Sequence, residues 1–184
     1  GNVTINTGTN SQITTKGIKS YGVFAQSIGG TGGSSGNSGN LIYSGSAKGQ
    51  SGGNAGKVTV NNKGSVITEG GSSYGLAAQS TGGGGGDSGN SWGLVAIGGT
   101  SDVGGNGNDA TIINSGNVTT KGIDSVGIFA QSTGGSGGAG GNAGGLVSLG
   151  GTGNKGGTSG EVSVTNTGNV ATEDVVYMFE AMGV

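Results

Sequence analysis

The chain has 184 residues, of which 50 are glycine; it contains no proline, cysteine or histidine, and its seven basic and nine acidic residues give a formal net charge of −2. Without cysteine and histidine the common nucleophile–base pairs and zinc sites cannot be built, and without a basic excess nucleic-acid binding is disfavoured. The composition therefore predicts a chain with no catalytic site, no cofactor and no metal. No run of about 20 apolar residues is present to form a transmembrane helix.

Short segments with a two-residue apolar alternation are the first predicted elements. The chain begins with Val3-Thr4-Ile5, and Val58-Thr59-Val60 repeats this pattern. In each repeat, similar segments follow at intervals of about eight residues, separated by Asn-Gly, Lys-Gly and Gly-Gly turn signals. The pattern predicts strands of three to five residues and no helix before residue 174.

A longer motif sets the period of the chain. The segment 20–27, Ser-Tyr-Gly-Val-Phe-Ala-Gln-Ser, recurs at 73–80 and at 125–132, and a glycine-rich tract follows each copy. A later apolar patch recurs too, around Leu41, Trp92 and Leu146. These offsets define repeats of about 52 residues over 1–55, 56–108 and 109–160, with a partial repeat over 161–172. Such a period indicates a solenoid, propeller or array, and the short strands favour an all-β, right-handed parallel β-helix (β-solenoid) with Gly-rich corners.

Equivalent positions of a solenoid stack in columns, which makes three sets of residues candidate structural positions. The asparagine column is expected to form an internal ladder that satisfies turn amides, with a ligand site as the less favoured alternative. The glutamines are expected to stack on one another, and the glycine column is expected to mark corners that need positive φ angles. With about two coils per repeat, the chain would form roughly seven coils, about 30–35 Å long. The columns are Asn62, Asn114 and Asn166; Gln26, Gln79 and Gln131; and Gly22, Gly75 and Gly127.

Two kinds of segment leave alternatives open. The glycine tracts are compatible with disordered excursions, with tightly packed corners, or with extended segments that let neighbouring backbones approach closely. Residues 173–184 depart from the repeat, and Val175, Met178, Phe179 and Met182 share one face of a short amphipathic helix. This end is interpreted as a helical cap, a diverged repeat or a fragment boundary.

The repeat resembles the passenger regions of large Gram-negative autotransporters, which are exported by type V secretion. The matching motif is Val-Thr-Val-Asn-Asn-x-Gly-x-Val followed by Ser-Tyr-Gly-(Val/Leu)-x-Ala-Gln-Ser, and it covers residues 1–172. The resemblance implies a β-helical rod at the cell surface or released from it, anchored by a C-terminal outer-membrane barrel outside this sequence. It further implies a non-catalytic role in adhesion, aggregation or biofilm formation, with host or abiotic surfaces, or other copies of the chain, as partners.

Few side chains are candidates for a specific site. Asp87 and Asp109 end Gly-rich segments that match the start of a calcium-binding nonapeptide, but the copies are not in tandem, so Gly-rich corners are the favoured interpretation. Asp102 and Asp109 are the nearest carboxylate pair for a glycosidase, although scattered acids are more typical of solubility groups.

Aromatic and hydroxyl residues suggest two binding alternatives. Tyr21 and Tyr74 occupy one column that could contact sugars or pack at a corner, and Trp92 is unique. A single threonine column is a weak ice-binding pattern. Beside the surface rod, the sequence therefore leaves two alternatives: a self-assembling extracellular fibre subunit, and a carbohydrate-binding β-helix module. The threonine column consists of Thr4, Thr59, Thr111 and Ser163.

Overall fold

A computed structural model describes residues 1–173 and contains, over that range, seventeen short strands and no helix. The predicted all-β class is thereby confirmed. The helical segment predicted after residue 173 lies outside the described residues. No helix in the described part of the chain is long and apolar enough to cross a membrane.

Five strands form each complete turn of the chain. The first turn has β1 (Val3–Asn6), β2 (Gln12–Thr15), β3 (Tyr21–Ile28), β4 (Ser38–Gly39) and β5 (Tyr43–Gly45). The second has β6 (Val58–Asn62), β7 (Ser65–Thr68), β8 (Tyr74–Thr81), β9 (Ser91–Trp92) and β10 (Val95–Ile97). The third has β11 (Ala110–Asn114), β12 (Val118–Thr120), β13 (Val126–Thr133), β14 (Ala143–Gly144) and β15 (Val147–Leu149), and β16 (Val162–Asn166) and β17 (Val170–Thr172) start a fourth.

Equivalent strands of successive turns stack in parallel and form five sheets. Their orders are β1-β6-β11-β16, β2-β7-β12-β17, β3-β8-β13, β4-β9-β14 and β5-β10-β15. Val3 pairs with Val58, Val58 with Ala110, and Ala110 with Val162. One full repeat therefore makes one turn, so the expectation of two coils per repeat was wrong. Three steps at the strand spacing of about 4.8 Å give a stack only about 15 Å high.

The first three strands of each turn enclose an apolar core, and we call this part the β body (residues 3–28, 58–81, 110–133 and 162–172). Alternate residues point inward, so the valines of β6 and the leucine of β8 face each other. Leu76 and Ile112 are fully buried. The core cluster is Val23, Ala25, Val58, Val60, Val66, Leu76, Ala78, Ala110, Ile112 and Val118.

The glycine tracts form the second part of each turn, which we call the glycine fin (residues 29–57, 82–109 and 134–161). The chain leaves the β body along one limb, reverses at the short strands near residues 40–43, and returns along a second, antiparallel limb. The amide of Gly53 donates to the Gly30 carbonyl at 2.7 Å, and that of Gln50 donates to Gly33 at 3.0 Å. The fin is therefore two layers of backbone held directly against each other.

Hydrogen bonding in the fin has a three-residue period. In the outgoing limb of the middle turn, every third amide from Gly82 to Ser91 donates to a carbonyl of the next turn, beginning with Gly82 to Thr133 at 2.8 Å. The amides of Gly83 and Gly86 donate instead to the opposite limb. A polyproline II helix likewise has three residues per helical turn and no hydrogen bonds within the helix itself. Of the three alternatives for the tracts, the structure supports extended segments that pack backbone to backbone.

Glycine is required in the fin for close approach. A Cβ added at Gly83 would come within 3.0 Å of the Gly30 backbone, and one at Gly105 would do the same at Gly53. Gly30 and Gly33, which face outward in the first turn, have nothing within 4 Å of such a Cβ. The absence of these side chains thus sets the distance between successive turns of each limb, as the absence of side chains does between the chains at the axis of collagen.

The predicted role of Gly22, Gly75 and Gly127 as positive-φ corners was wrong. No glycine among the described residues has a positive φ, and these three lie inside β3, β8 and β13. A Cβ at Gly75 would come within 3.0 Å of Val118 Cγ1, so the missing side chain makes room for the core. The left-handed corners before these strands belong instead to Lys19, Ser72 and Asp124, with φ of 53°, 53° and 56°.

Candidate functional site

The predicted asparagine column is an internal ladder. Asn62 Nδ2 donates to Asn114 Oδ1, and Asn114 Nδ2 donates to Asn166 Oδ1, each at 2.7 Å. Asn114 Nδ2 also donates to the Gly116 carbonyl at 3.0 Å, which closes the turn after β11. Asn62 and Asn114 are buried, and the amides of the ladder satisfy one another and the turns.

The predicted glutamine column forms a second ladder on the outer face of the β3-β8-β13 sheet. Gln26 Nε2 donates to Gln79 Oε1 at 2.5 Å, and Gln79 Nε2 donates to Gln131 Oε1 at 2.7 Å. These bonds lie at the surface, unlike those of the asparagines. The serine that follows each glutamine points inward: Ser80 Oγ accepts from the Asn108 amide at 2.8 Å and donates to the Gly56 carbonyl. It therefore ties the returning limb of the fin to the β body, a role that sequence reasoning did not assign.

Four aromatic rings cover part of the same outer face. Tyr21 stacks on Phe24 with centroids 4.6 Å apart and on Tyr74 at 5.0 Å, and Tyr74 meets Phe129 edge-on at 5.5 Å. Ala77 lies between the two phenylalanines in the ladder and is fully buried. In the tyrosine column predicted from the sequence, Tyr21 thus packs on Phe24 of its own strand, and Tyr74 packs on Phe129 of the adjacent strand.

The acidic residues singled out in the sequence bind neighbouring turns of the fin. Asp102 accepts from the Val103 amide at 2.8 Å and from Lys48 Nζ at 3.1 Å, and both lower the pKa of this carboxyl, the backbone donor most. Asp109 pairs with Lys57 at 3.3 Å, and Asp87 Oδ1 accepts from the Ala139 amide at 2.7 Å. Within residues 1–173 no three groups of the His, Cys, Asp and Glu type converge on a point that could hold a metal ion.

An open groove of about 650 Å³ lies where the first turn meets the second. Its lining combines amides, hydroxyls, one ammonium group and the half-exposed Ile113. Asn61 Nδ2 donates to Asn6 Oδ1 at 2.7 Å across its floor. The lining residues are Asn6, Thr7, Gly8, Thr9, Asn61, Asn62, Lys63, Ile113 and Ser115.

The most conspicuous surface is at the far edge of the glycine fin, where the recurring apolar patch of the sequence forms a continuous apolar ridge. In register, Tyr43 pairs with Val95 and Val95 with Val147, so the patch repeats at every turn. The exposed fractions reach 86% at Leu41 and 83% at Leu146. The apolar ridge consists of Leu41, Ile42, Tyr43, Trp92, Leu94, Ile97, Leu146, Val147 and Leu149.

Serine hydroxyls fill the space behind the ridge. Ser38 and Ser44 share a hydrogen bond at 2.8 Å, and Ser46 and Ser91 share another at 2.8 Å. Ser91 Oγ also donates to the Ile97 carbonyl at 2.6 Å. Since these small polar groups occupy the gap between the limbs, the large apolar side chains have no interior to enter and remain in solvent.

Comparisons with known proteins add little to this description. No family model and no curated protein matches the chain. Among solved structures, it is similar to the springtail antifreeze protein from Granisotoma rainieri, described as a bundle of nine polyproline type II helices. That similarity has 20% sequence identity and a TM-score of 0.13, and it covers 85% of this chain and 90% of the other.

Proposed function

We propose that this chain is a segment of a non-catalytic structural rod from an autotransporter passenger, a right-handed β-solenoid of about 52-residue repeats at the cell surface or secreted from it. The observation that carries the proposal is the in-register stacking of successive turns, from Val3 through Val58 and Ala110 to Val162. The family is proposed because the repeated sequence motif resembles those of autotransporter passengers. Each further repeat would add one equivalent turn, which is how a rod is lengthened without a new fold.

The side chains at each level support a structural role. The asparagine ladder, the apolar column and the close glycine contacts recur at every turn, and each depends only on the turn above and below. Such nearest-neighbour stacking is the design of solenoid proteins. Its outer faces are then free for adhesion, aggregation or biofilm formation, with surfaces or other copies as partners.

The rod can be tested by lengthening it. We expect that four extra copies of residues 56–107, inserted after residue 107, extend the particle by about 19 Å at an unchanged cross-section. Small-angle X-ray scattering measures both quantities, and the same inserted residues in shuffled order serve as the control. A particle that widens, or an insert that scatters as a disordered chain, would contradict the rod.

The biological output needs a separate test. Displayed on a non-adherent Gram-negative bacterium through an outer-membrane anchor, the chain is expected to increase sedimentation of the cells or their attachment to glass and host cells. Display without either effect would count against the adhesive role. Growth of the purified chain into filaments under electron microscopy would favour the fibre alternative. Glycan binding that is lost on Lys63→Ala, in the polar groove, would favour the carbohydrate alternative.

A further inference from the structure

From the apolar ridge we infer that the glycine fin is a lateral contact surface whose occupant is the fin of a second copy of this chain. The inference rests on the proposed function, because side-by-side contact between rods is the molecular event in aggregation. It concerns the exposed side chains at the far edge of the fin, whereas the proposed function rests on the stacking of the turns.

The exposed area of the ridge is the first reason. Its nine residues, two aromatic and seven aliphatic, are exposed by between 39% and 86%. At the about 150–250 Å² of an aromatic side chain, which is an upper figure for the aliphatic ones, their combined exposed area is on the order of 1,000 Å². The largest apolar patch on a typical monomer covers about 300–600 Å². A standard protein–protein interface buries about 800 Å² on each partner. The ridge is therefore large enough to form one complete side of a stable interface.

The lack of charged side chains along the ridge favours a second copy of the chain as its partner. Residues 37–47, 88–101 and 142–154, which carry the ridge, include no charged side chain. Two copies can meet there without bringing like charges together, although each chain has a net charge of −2. An anionic lipid surface is recognised by clusters of several cations. Only two lysines adjoin these segments: Lys48 is paired with Asp102 at 3.1 Å, and Lys155 alone does not form such a cluster.

The spacing of the ridge points to an identical partner. Ile42, Leu94 and Leu146 follow one another at the strand spacing of about 4.8 Å, since their neighbours in β5, β10 and β15 are paired in register. The ridge of a second copy has apolar side chains at the same spacing, so each turn of one ridge can pack against a turn of the other. In a two-fold contact of this kind the middle turns face each other, with Leu94 close to Leu94 of the other copy.

The first test is the oligomeric state. Sedimentation equilibrium from about 1 μM to about 200 μM is expected to show a monomer–dimer equilibrium for the intact chain. The triple variant Ile42→Asp, Leu94→Asp and Leu146→Asp is expected to weaken the dimer at least about a hundredfold, because it places carboxylates across the contact. The matched control, Ile18→Asp, Ile28→Asp and Ile123→Asp, changes equally exposed isoleucines on the β body and is expected to leave the dimer intact. Circular dichroism checks that both variants fold.

The second test uses the absence of cysteine from the chain. Leu94→Cys is expected to form an intermolecular disulfide rapidly under mild oxidation, whereas Ile123→Cys, which is also exposed, is expected to remain monomeric. A disulfide needs the two Cβ atoms within about 4.5 Å, so it reports the contact itself. Equal rates for the two variants would overturn the ridge contact.

The remaining outcomes separate the ridge from the rod. A monomeric chain at all concentrations overturns the inference, and so does a dimer that the ridge variant leaves unchanged. A monomer whose binding to phosphatidylglycerol vesicles is lost in the ridge variant assigns the ridge to lipid instead. If displayed cells aggregate equally with and without the ridge substitutions, the ridge contact fails while the adhesive rod stands. If the chain dimerises through the ridge but displayed cells neither attach nor aggregate, the proposed function fails alone.

Discussion

The β body and the glycine fin stack equivalent turns at the same spacing, but they are stabilised in opposite ways. In the β body, inward side chains such as Leu76 and Ile112 exclude water from a narrow core. In the fin, the limbs touch through backbone, and Gly83 donates directly to the Gly53 carbonyl at 2.9 Å. One turn of this fold is therefore stabilised by side-chain volume in one half and by the absence of side chains in the other.

The comparison predicts that the fin is most sensitive to added atoms. Gly83→Ala is expected to reduce the free energy of unfolding by more than about 3 kcal/mol, because the new Cβ would push the second turn of the outgoing limb away from Gly30 in the first turn. Gly84→Ala is the matched control, since its Cβ would meet only the Ser136 hydroxyl at 3.2 Å, which can rotate away. Urea unfolding followed by circular dichroism measures both. Equal losses would show that the fin does not depend on backbone contact.

The β body is expected to respond to removed atoms instead. Leu76→Ala should cost about 3 kcal/mol of unfolding free energy, because it leaves a cavity at a fully buried position of the core. Ile28→Ala removes as large a side chain from a site that is 62% exposed, and it should cost under about 1 kcal/mol. A mild effect at Leu76 in chemical denaturation would mean that the core collapses to fill the space.

At the turn after β11, the body is stabilised by polar groups. Asn114→Ala is expected to cost about 2 kcal/mol, since it leaves the buried Asn62 without its ladder partner and removes the bond to Asn166. Asn61→Ala breaks only a surface bond to Asn6 and should cost under about 0.5 kcal/mol. Thermal unfolding of the two single variants distinguishes them, and similar melting temperatures would argue against the buried ladder.

The smallest expected change in the free energy of unfolding is a gain in stability. The Thr68 hydroxyl is buried in β7 and has no hydrogen-bond partner within the described residues. Thr68→Val keeps the shape and removes the unsatisfied group, so we expect a gain of about 1 kcal/mol in unfolding free energy. Thr59→Val, on the outer face, should be near neutral. A loss of stability at Thr68 would indicate that its hydroxyl has a partner in solution.

Much of the β body could be predicted from sequence, because periodicity reports which residues face inward. The strands around Val58, Val66 and Leu76, the parallel class and the asparagine column all follow from the spacing of the repeat. The apolar patch around Leu94 was visible as a recurrence, but its exposure was not, since apolar runs normally indicate burial.

The fin could not be predicted for a physical reason. Glycine has no side chain to show a period of burial, so Gly83 and Gly84 look equivalent although their surroundings differ. The prediction that glycines mark positive-φ corners was also wrong, because glycine here allows close approach of backbones. The left-handed corners are at Lys19, Ser72 and Asp124. The number of coils per repeat was wrong as a result, since the tracts lengthen each turn instead of separating two.

The contact between the limbs of the fin has a consequence for how stability changes with temperature. Unfolding raises the heat capacity when apolar surface is exposed and lowers it when peptide groups are exposed. Since the fin buries mainly peptide groups, the whole chain should unfold with a heat-capacity increment below the usual 12–15 cal/mol/K per residue. Its stability curve would then be flatter than that of a globular domain of equal length, so the protein would lose little stability on cooling.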